Sequence, residues 1–476
     1  MRTPARCSRH PGLKSWPGFL RISFAALAWC LAQAAPAAAA PVAPNVLLII
    51  VDDYGIDAAS YYPPGQRRET SPPAPPAPNL ARLAAQGVLF TNAWANPLCS
   101  ATRATIMTGR YGFRTGVGNA IHLVPTGIDN ELRRDEFTLP KALRAGRGAD
   151  LMLAQVGKWH LSRGIDDPRL FGWPNFAGPD PKLPYLTNYF EWPKVIDGVA
   201  VGSTVYATTD QVDDAIALID GAAVAGRSYF LWLALSAAHE PFRKPPNELH
   251  SMDSLPVTDA PGTALKRLYY RAMLEAVDTE VGRLLAHVDR ATTTVILLGD
   301  NGTPPPGVAP PYDPQRSKNT LYEQGIRVPL IVSGAAVHAP GRRVSTLVNM
   351  VDLFPTILEL LGVDPAGVLP SGTRIDGVSL RPLLQAAGVG PVRPWAYSER
   401  FWARFDRSYE RTIRNQRYKL IERTIASQPA REFFDLQADR YERSNLLLRS
   451  LTATEAANLS YLDRQLDRLI ASRQAP

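Results

Sequence analysis

Four continuous aliphatic runs constrain the fold of this 476-residue chain more than any other feature: "NVLLIIV" at 45–51, "LMLAQVG" at 151–157, "SYFLWLAL" at 228–235 and "TTTVILLG" at 292–299. A strand with one wet face alternates apolar and polar residues. These runs do not alternate, so they fit strands buried on both faces, as in parallel sheets covered by helices. Helical patterns lie between them: "PNLARLAAQGV", "TTDQVDDAIALIDGAA" and "YYRAMLEAVDTEVGRLLAHV". The alternation predicts an α/β fold. In such folds ligands bind beyond the carboxyl ends of the strands.

Each run ends in polar residues. The first ends in Asp52 and Asp53, the second in Lys158 and His160, the third in His239 and the fourth in Asp300 and Asn301. Taken singly, each cluster has an ordinary structural reading. Two aspartates after a strand often cap a helix, a histidine is often buried core, a lysine is often a solvated surface charge, and Asp-Asn-Gly favours a turn. Two acidic clusters and two histidines, each just past a different buried strand, also fit a metal and acid/base site on one sheet edge.

The first 40 residues read as an export signal. Arg2, Arg6, Arg9, Lys14 and Arg21 form a basic start, then come the apolar run "ISFAALAWCLAQAA" and the small residues "APAAAAP". The apolar run is shorter than the roughly 20 residues a membrane span needs. Cleavage near Ala39 removes Cys7, Cys30 and five basic residues. The formal charge of +8 then falls to +3, which is no argument for a nucleic-acid partner. No second membrane segment follows, so the expectation is an exported protein, periplasmic or secreted. The Pro-rich stretch 61–78 reads as a surface loop.

After cleavage Cys99 is alone and has no internal disulfide partner. It stands in "NPLCSATRATIMTGRY", four residues before Arg103. If Cys99 opens a helix, the two share a face. A helix start also offers free backbone N–H groups to an anion. A small buried cysteine beside an unrelated arginine fits the same spacing.

The wider stretch "CSATRATIMTGRYGFRTGV" closely resembles the signature of the formylglycine-dependent sulfatases. "NVLLIIVDD", "PNLARLAAQGVLFTNAW", "VGKWHL", "SAAHEPF", "GDNG", "KNTLYEQGIRVPLIV" and "VDLFPTILELLG" resemble family segments in family order, and "RNQRYKLI" with "EFFDLQADRYERSNLL" resembles the family's C-terminal strands and closing turn. One departure is Ala101, where the commonest signature has proline. It leaves open which maturation enzyme acts and how fully.

The resemblance implies an alkaline-phosphatase-like fold. A large domain over 41–386 would hold a central, mostly parallel sheet flanked by helices, and a smaller α+β domain over 387–476 an antiparallel sheet. It implies a sulfuric ester hydrolase, with Cys99 oxidised to formylglycine by a maturation enzyme. Asp52, Asp53, Asp300 and Asn301 would bind one divalent cation, usually calcium, with residue 99 completing the shell. Their oxygen donors suit a hard cation. One hydroxyl of the hydrated aldehyde would attack sulfur, and the second would expel sulfate afterwards. Arg103 would stabilise the hydrate and His160 would act as base. Lys158, Lys318 and His239 would grip the sulfate, with His239 or Lys318 as proton donor to the leaving oxygen.

Two other readings stand beside this one: a formylglycine-dependent phosphonate or phosphate ester hydrolase on the same scaffold, and a non-catalytic binding homologue. The substrate is open between an aryl sulfate and a sulfated glycan. The loop 172–198 carries Trp173, Tyr185, Tyr189, Phe190 and Trp192, which fit either ring stacking on substrate or internal packing. His250, His287 and His338 match no family motif. His122 matches none either, and is open as a pocket-lining residue.

Overall fold

The computed structural model describes residues 44–474, apart from 64, 122–129, 259–261, 403–408 and 426–427. The signal-peptide reading of residues 1–40 and the pocket reading of His122 lie outside the described residues. Among the described residues, no helix is long and apolar enough to cross a membrane.

A ten-stranded mixed sheet organises the chain. Across it the strands run Arg342–Val344, Gly87–Phe90, Leu330–Gly334, Thr293–Gly299, Asn45–Val51, Ser228–Leu235, Leu151–Gly157, Asn175–Pro179, Trp192–Ile196 and Val199–Ser203. The four aliphatic runs are its centre and are mutually parallel. Antiparallel pairs appear only toward the two edges. The 172–198 segment, which reads as a loop in the sequence, thus carries two of these strands.

Both faces of the central strands are covered, which explains the missing alternation. Leu47, Ile49 and Val51 join one apolar cluster with residues of the helices Pro78–Ala85, Ala207–Val224 and Thr263–Ala286. Val46, Leu48 and Ile50 join a second with the helices Cys99–Thr108, Leu139–Arg147 and Leu353–Leu360. At roughly 1.5–3 kcal/mol per fully buried aliphatic side chain, these two layers supply most of the drive for folding.

The register places the chemistry. Val51 is level with both Leu235 and Gly299, and Gly157 is level with Ala234. The polar residue after each strand therefore leaves the sheet at one edge. Gly157 makes this turn possible: it has φ +87°, and a Cβ there would meet the Ala234 carbonyl oxygen at 2.0 Å.

A separate antiparallel sheet is formed by Ala396–Phe401, Tyr409–Arg414, Tyr418–Ile425 and Gln428–Asp435, joined in sequence order. The helix Ala453–Ala471 contributes Leu462, Leu466 and Leu469 to the core beneath it, together with Tyr111 and Phe113.

Candidate active site

The helix Cys99–Thr108 is buried along its whole length, so no polar face betrays it in the sequence. It begins after Leu98, whose side chain makes no capping bond. Asn96 anchors the entry instead: its N–H donates to the Thr102 hydroxyl at 2.9 Å, and its Nδ2 to the Thr105 hydroxyl at 2.8 Å. The helix ends on Gly109, at φ +67°. Cys99 therefore sits in the first turn, with Arg103 one turn below it.

Arg103 ties the site together. Its Nε and Nη2 donate to Asp300 Oδ2 at 3.0 and 2.8 Å, its Nη1 to the Lys158 carbonyl at 2.8 Å, and its Nη2 to Asp52 Oδ2 at 3.4 Å. Lys158 Nζ lies 2.5 Å from Asp52 Oδ2 and 3.7 Å from Cys99 Sγ. His160 Nδ1 lies 3.1 Å from Cys99 Sγ. Lys318 Nζ is 2.5 Å from Asp53 Oδ1, which also accepts from Asn301 Nδ2 at 2.7 Å. His239 stands at the rim with its Nδ1 2.8 Å from the Glu240 carbonyl, so the neutral ring carries its proton on Nδ1. All ten residues singled out in the sequence meet around Cys99 and the two acidic clusters.

Two of them hold uncommon backbone. Asp53 has φ +60° and His160 φ +57°, the left-handed region that non-glycine residues rarely enter. Asp53 is held by neighbours rather than by local preference. Asp53 N–H donates to Asp300 Oδ1 at 3.1 Å, and the Asp53 carbonyl accepts from Tyr270 OH at 2.7 Å. Such residues gather where geometry serves function.

Three buried carboxylates face two buried cations and one partly buried one here: Asp52, Asp53 and Asp300 against Arg103, Lys158 and Lys318. Burial pushes the Asp300 carboxyl up to about 6, and the Asp52 charge adds to this against Arg103. Burial also raises Asp53 despite Lys318. Asp52 goes the other way, because Lys158, His239, Arg103 and Lys318 together outweigh its burial and hold it well below the usual range. Burial pushes the Cys99 thiol up although Lys158 opposes it, so the encoded side chain is a poor thiolate. Burial, then Lys318 and Lys158, lower His239 to about 3.

A divalent cation fits these residues. Asp52 Oδ1 and Asn301 Oδ1 are buried oxygens with no hydrogen-bond partner. Asp52 lies close enough to share an ion with Asp53 and His239, and likewise with Cys99 and Asp300. Buried like charges this close are costly to hold together, and a divalent cation between them would lower that cost.

A cavity of about 230 Å³ opens over Cys99, lined by His160, His239 and Lys318 on one side and by Tyr185 and Pro304–Pro306 around its mouth. Of the five aromatic residues in 172–198, Tyr185 is the one that faces this space. It is 43% exposed and stacks on His239 with ring centres 5.6 Å apart. Trp173 is buried against Phe230 and Trp232, and Trp192 is buried in the core. Tyr189 is buried as well, and its hydroxyl donates to the Ser236 and His239 carbonyls at 2.7 and 2.8 Å, so it positions His239 without touching the cavity over Cys99. The sequence reading missed Tyr270 and Pro304–Pro306. Neither carries a local signal, since one acts through a single hydroxyl and the other through shape.

Known proteins resemble this chain in sequence and fold. The family model described as Sulfatase matches residues 44–363, and one described as N-sulphoglucosamine sulphohydrolase, C-terminal, matches 315–471. N-acetylgalactosamine-6-sulfatase of Canis lupus familiaris is 32% identical over 383 residues, covering 73% of this chain and 67% of that protein. Steryl-sulfatase of Mus musculus is 29% identical over 439 residues, covering 74% and 67%. Among solved structures, Ps i-CgsB in complex with k-i-k-neocarrahexaose has a TM-score of 0.71 at 22% identity, covering 91% of this chain and 94% of that one. A structure in complex with its substrate D-glucosamine-2-N,6-O-disulfate has a TM-score of 0.69 at 22% identity, covering 91% and 98%. These two share the fold.

Proposed function

The chain belongs to the sulfatase family and is a sulfuric ester hydrolase, and we propose that it acts through a formylglycine made from Cys99, beside a calcium ion held by Asp52, Asp53, Asp300 and Asn301. The observation that carries this is the placement of Cys99 Sγ. It lies in a helix's first turn, 3.1 Å from a histidine and 3.7 Å from a lysine, at the floor of a cavity. When bound, the cation supplies a Lewis acid at the sulfate oxygens, and formylglycine supplies a hydrated aldehyde where a thiol now stands.

The chain's own residues do the rest. His160 Nδ1 holds and moves a proton at the position of Cys99 Sγ. Arg103 fixes Asp52 and Asp300 from below and keeps positive charge under residue 99. Lys158 and Lys318 oppose the negative charge that grows on the sulfate oxygens as the S–O bond to the leaving group breaks. His239 gives the leaving oxygen its proton. Burial, then Lys318 and Lys158, keep this ring neutral; the anionic ester offsets the two lysines, which favours uptake of a proton as substrate enters. Lys318 is the poorer donor, because its pairing with Asp53 outweighs burial and holds it cationic.

The substrate is a sulfated sugar. A matched relative is an N-acetylgalactosamine-6-sulfatase, and one structure of the same fold holds D-glucosamine-2-N,6-O-disulfate as its substrate. Tyr185 offers a ring face at the cavity mouth on which a sugar can pack. The reading includes an exported, periplasmic or secreted protein and a maturation enzyme that oxidises Cys99. Parallel assays on a 6-sulfated N-acetylhexosamine, an aryl sulfate and a phosphate ester test the reading. Preferred turnover of the sulfated sugar supports it. A higher kcat/KM on the phosphate ester would move the chain to the phosphoester alternative.

A further inference from the structure

A second cavity of about 230 Å³ lies where the C-terminal turn around Arg440 and Tyr441 meets the segment from Tyr312 to Arg327. It shares no lining residue with the cavity over Cys99. Its volume is several times the roughly 30 Å³ share of one water.

Its charges do not balance. The buried carboxylates beside it are Glu323 and Glu442. Glu323 pairs with Arg414 at 3.2 Å and Lys419 at 3.4 Å, and Glu442 pairs with Lys419 at 2.7 Å. Two cations thus already neutralise the two anions. Arg327 and Arg440 remain, both lining the cavity, and neither has a carboxylate within ion-pair distance among the described residues. Arg327 is 95% buried, and its guanidinium finds only the Gln66 carbonyl. Burial and the neighbouring Arg327 charge pull Arg440 below the ordinary arginine value.

Its buried polar atoms are mostly donors. Among the described residues that line it, Arg327 Nε, Arg440 Nη1 and Gln324 Nε2 are buried with no hydrogen-bond partner, whereas the one such acceptor, Glu442 Oε1, is held by Lys419 Nζ at 2.7 Å. Gln324 is 91% buried, and its carboxamide oxygen is used by the Asp313 N–H at 3.2 Å, which leaves the amide end unsatisfied. Three unpartnered donors and two uncompensated guanidiniums around one space are costly unless an acceptor bearing negative charge fills it. Tyr312 and Tyr441, edge to face at 5.8 Å, wall the same space.

We propose that this cavity is a binding site for a small oxyanion, a carboxylate, sulfate or phosphate group, held between Arg327 and Arg440. The site is independent of the hydrolytic centre.

Crystals of the protein and of Arg440→Met, soaked in selenate or in 4-bromobenzoate, test this by anomalous scattering. Selenate, a sulfate analogue, also fills the cavity over Cys99 and so serves as an internal control. The expected result is a second peak between Arg327 and Arg440, absent in Arg440→Met while the control peak persists. A selenate peak alone identifies a free inorganic anion as the ligand class, and a bromine peak identifies an organic carboxylate. In solution, selenate titration should show two sites, with Arg440→Met weakening one about tenfold or more. A filled control site with neither probe at Arg440, or a second peak unchanged in Arg440→Met, overturns the proposal.

Discussion

Arg103 closes on a single oxygen of Asp300: its Nε and Nη2 both donate to Oδ2, at 3.0 and 2.8 Å, and both side chains are fully buried. Lysine cannot reproduce a forked donor. Arg103→Lys should lower kcat by about 100-fold or more. Arg103→Ala should in addition destabilise the protein by about 3–5 kcal/mol, because it leaves buried carboxylates unpaired. Steady-state kinetics and urea melts separate the two effects. Wild-type kcat in Arg103→Lys would remove Arg103 from the site.

The cation can be withdrawn directly. Chelation should abolish turnover and lower Tm, since an ion that binds only the folded state stabilises it by mass action. Added calcium should restore both. Asn301→Ala should raise the calcium concentration needed for half-maximal activity by about tenfold or more, as loss of a ligand oxygen predicts. Full activity in excess chelator would contradict the metal assignment.

Tyr185 should act on substrate binding. Its ring is exposed at the cavity mouth and stacked on His239. Tyr185→Ala should raise KM for a sulfated sugar by about fivefold to tenfold, the worth of one aromatic contact, with kcat changed far less. A fall in kcat with KM unchanged would make Tyr185 a support for His239 instead.

Glu399 gives a pH signature away from the site. Burial pushes its carboxyl up to about 7 from 4.5, although the Phe113 N–H, Arg411 and Tyr397 favour the charged form. The folded state therefore keeps a proton that the unfolded chain releases between these two values. The contribution is fully present below pH 4.5 and is lost as pH rises through 7, at most about 3 kcal/mol. Glu399→Gln should flatten that part of the stability profile. An unchanged slope between pH 4.5 and 7 in the variant would rule this out.

The centre of the fold and the floor of the site are legible in the sequence for one physical reason. Strands buried on both faces carry few polar residues, so Asp52, Lys158, His239 and Asp300 stand out where the chain leaves the sheet. Residues 99 and 103 are legible through the wider stretch "CSATRATIMTGRYGFRTGV" and its resemblance to a family signature, since their helical spacing alone fits an unrelated pair as well. The mutually antiparallel strands Asn175–Pro179 and Trp192–Ile196 were not, because they are short, lack a long aliphatic run and depend on the neighbouring strand for their pairing. Nor was the choice of Tyr185 among five aromatic residues. Trp173 and Tyr185 have the same local appearance, and only tertiary packing buries one and exposes the other.

The central claim is that Cys99 is the precursor of the nucleophile. A peptide mass spectrum across Cys99, taken on protein exported from a host that matures such enzymes, tests it most directly. Conversion replaces sulfur with oxygen and removes two hydrogens. A lighter peptide that reacts as an aldehyde is the predicted result. An intact thiol in protein that hydrolyses sulfate esters would contradict it.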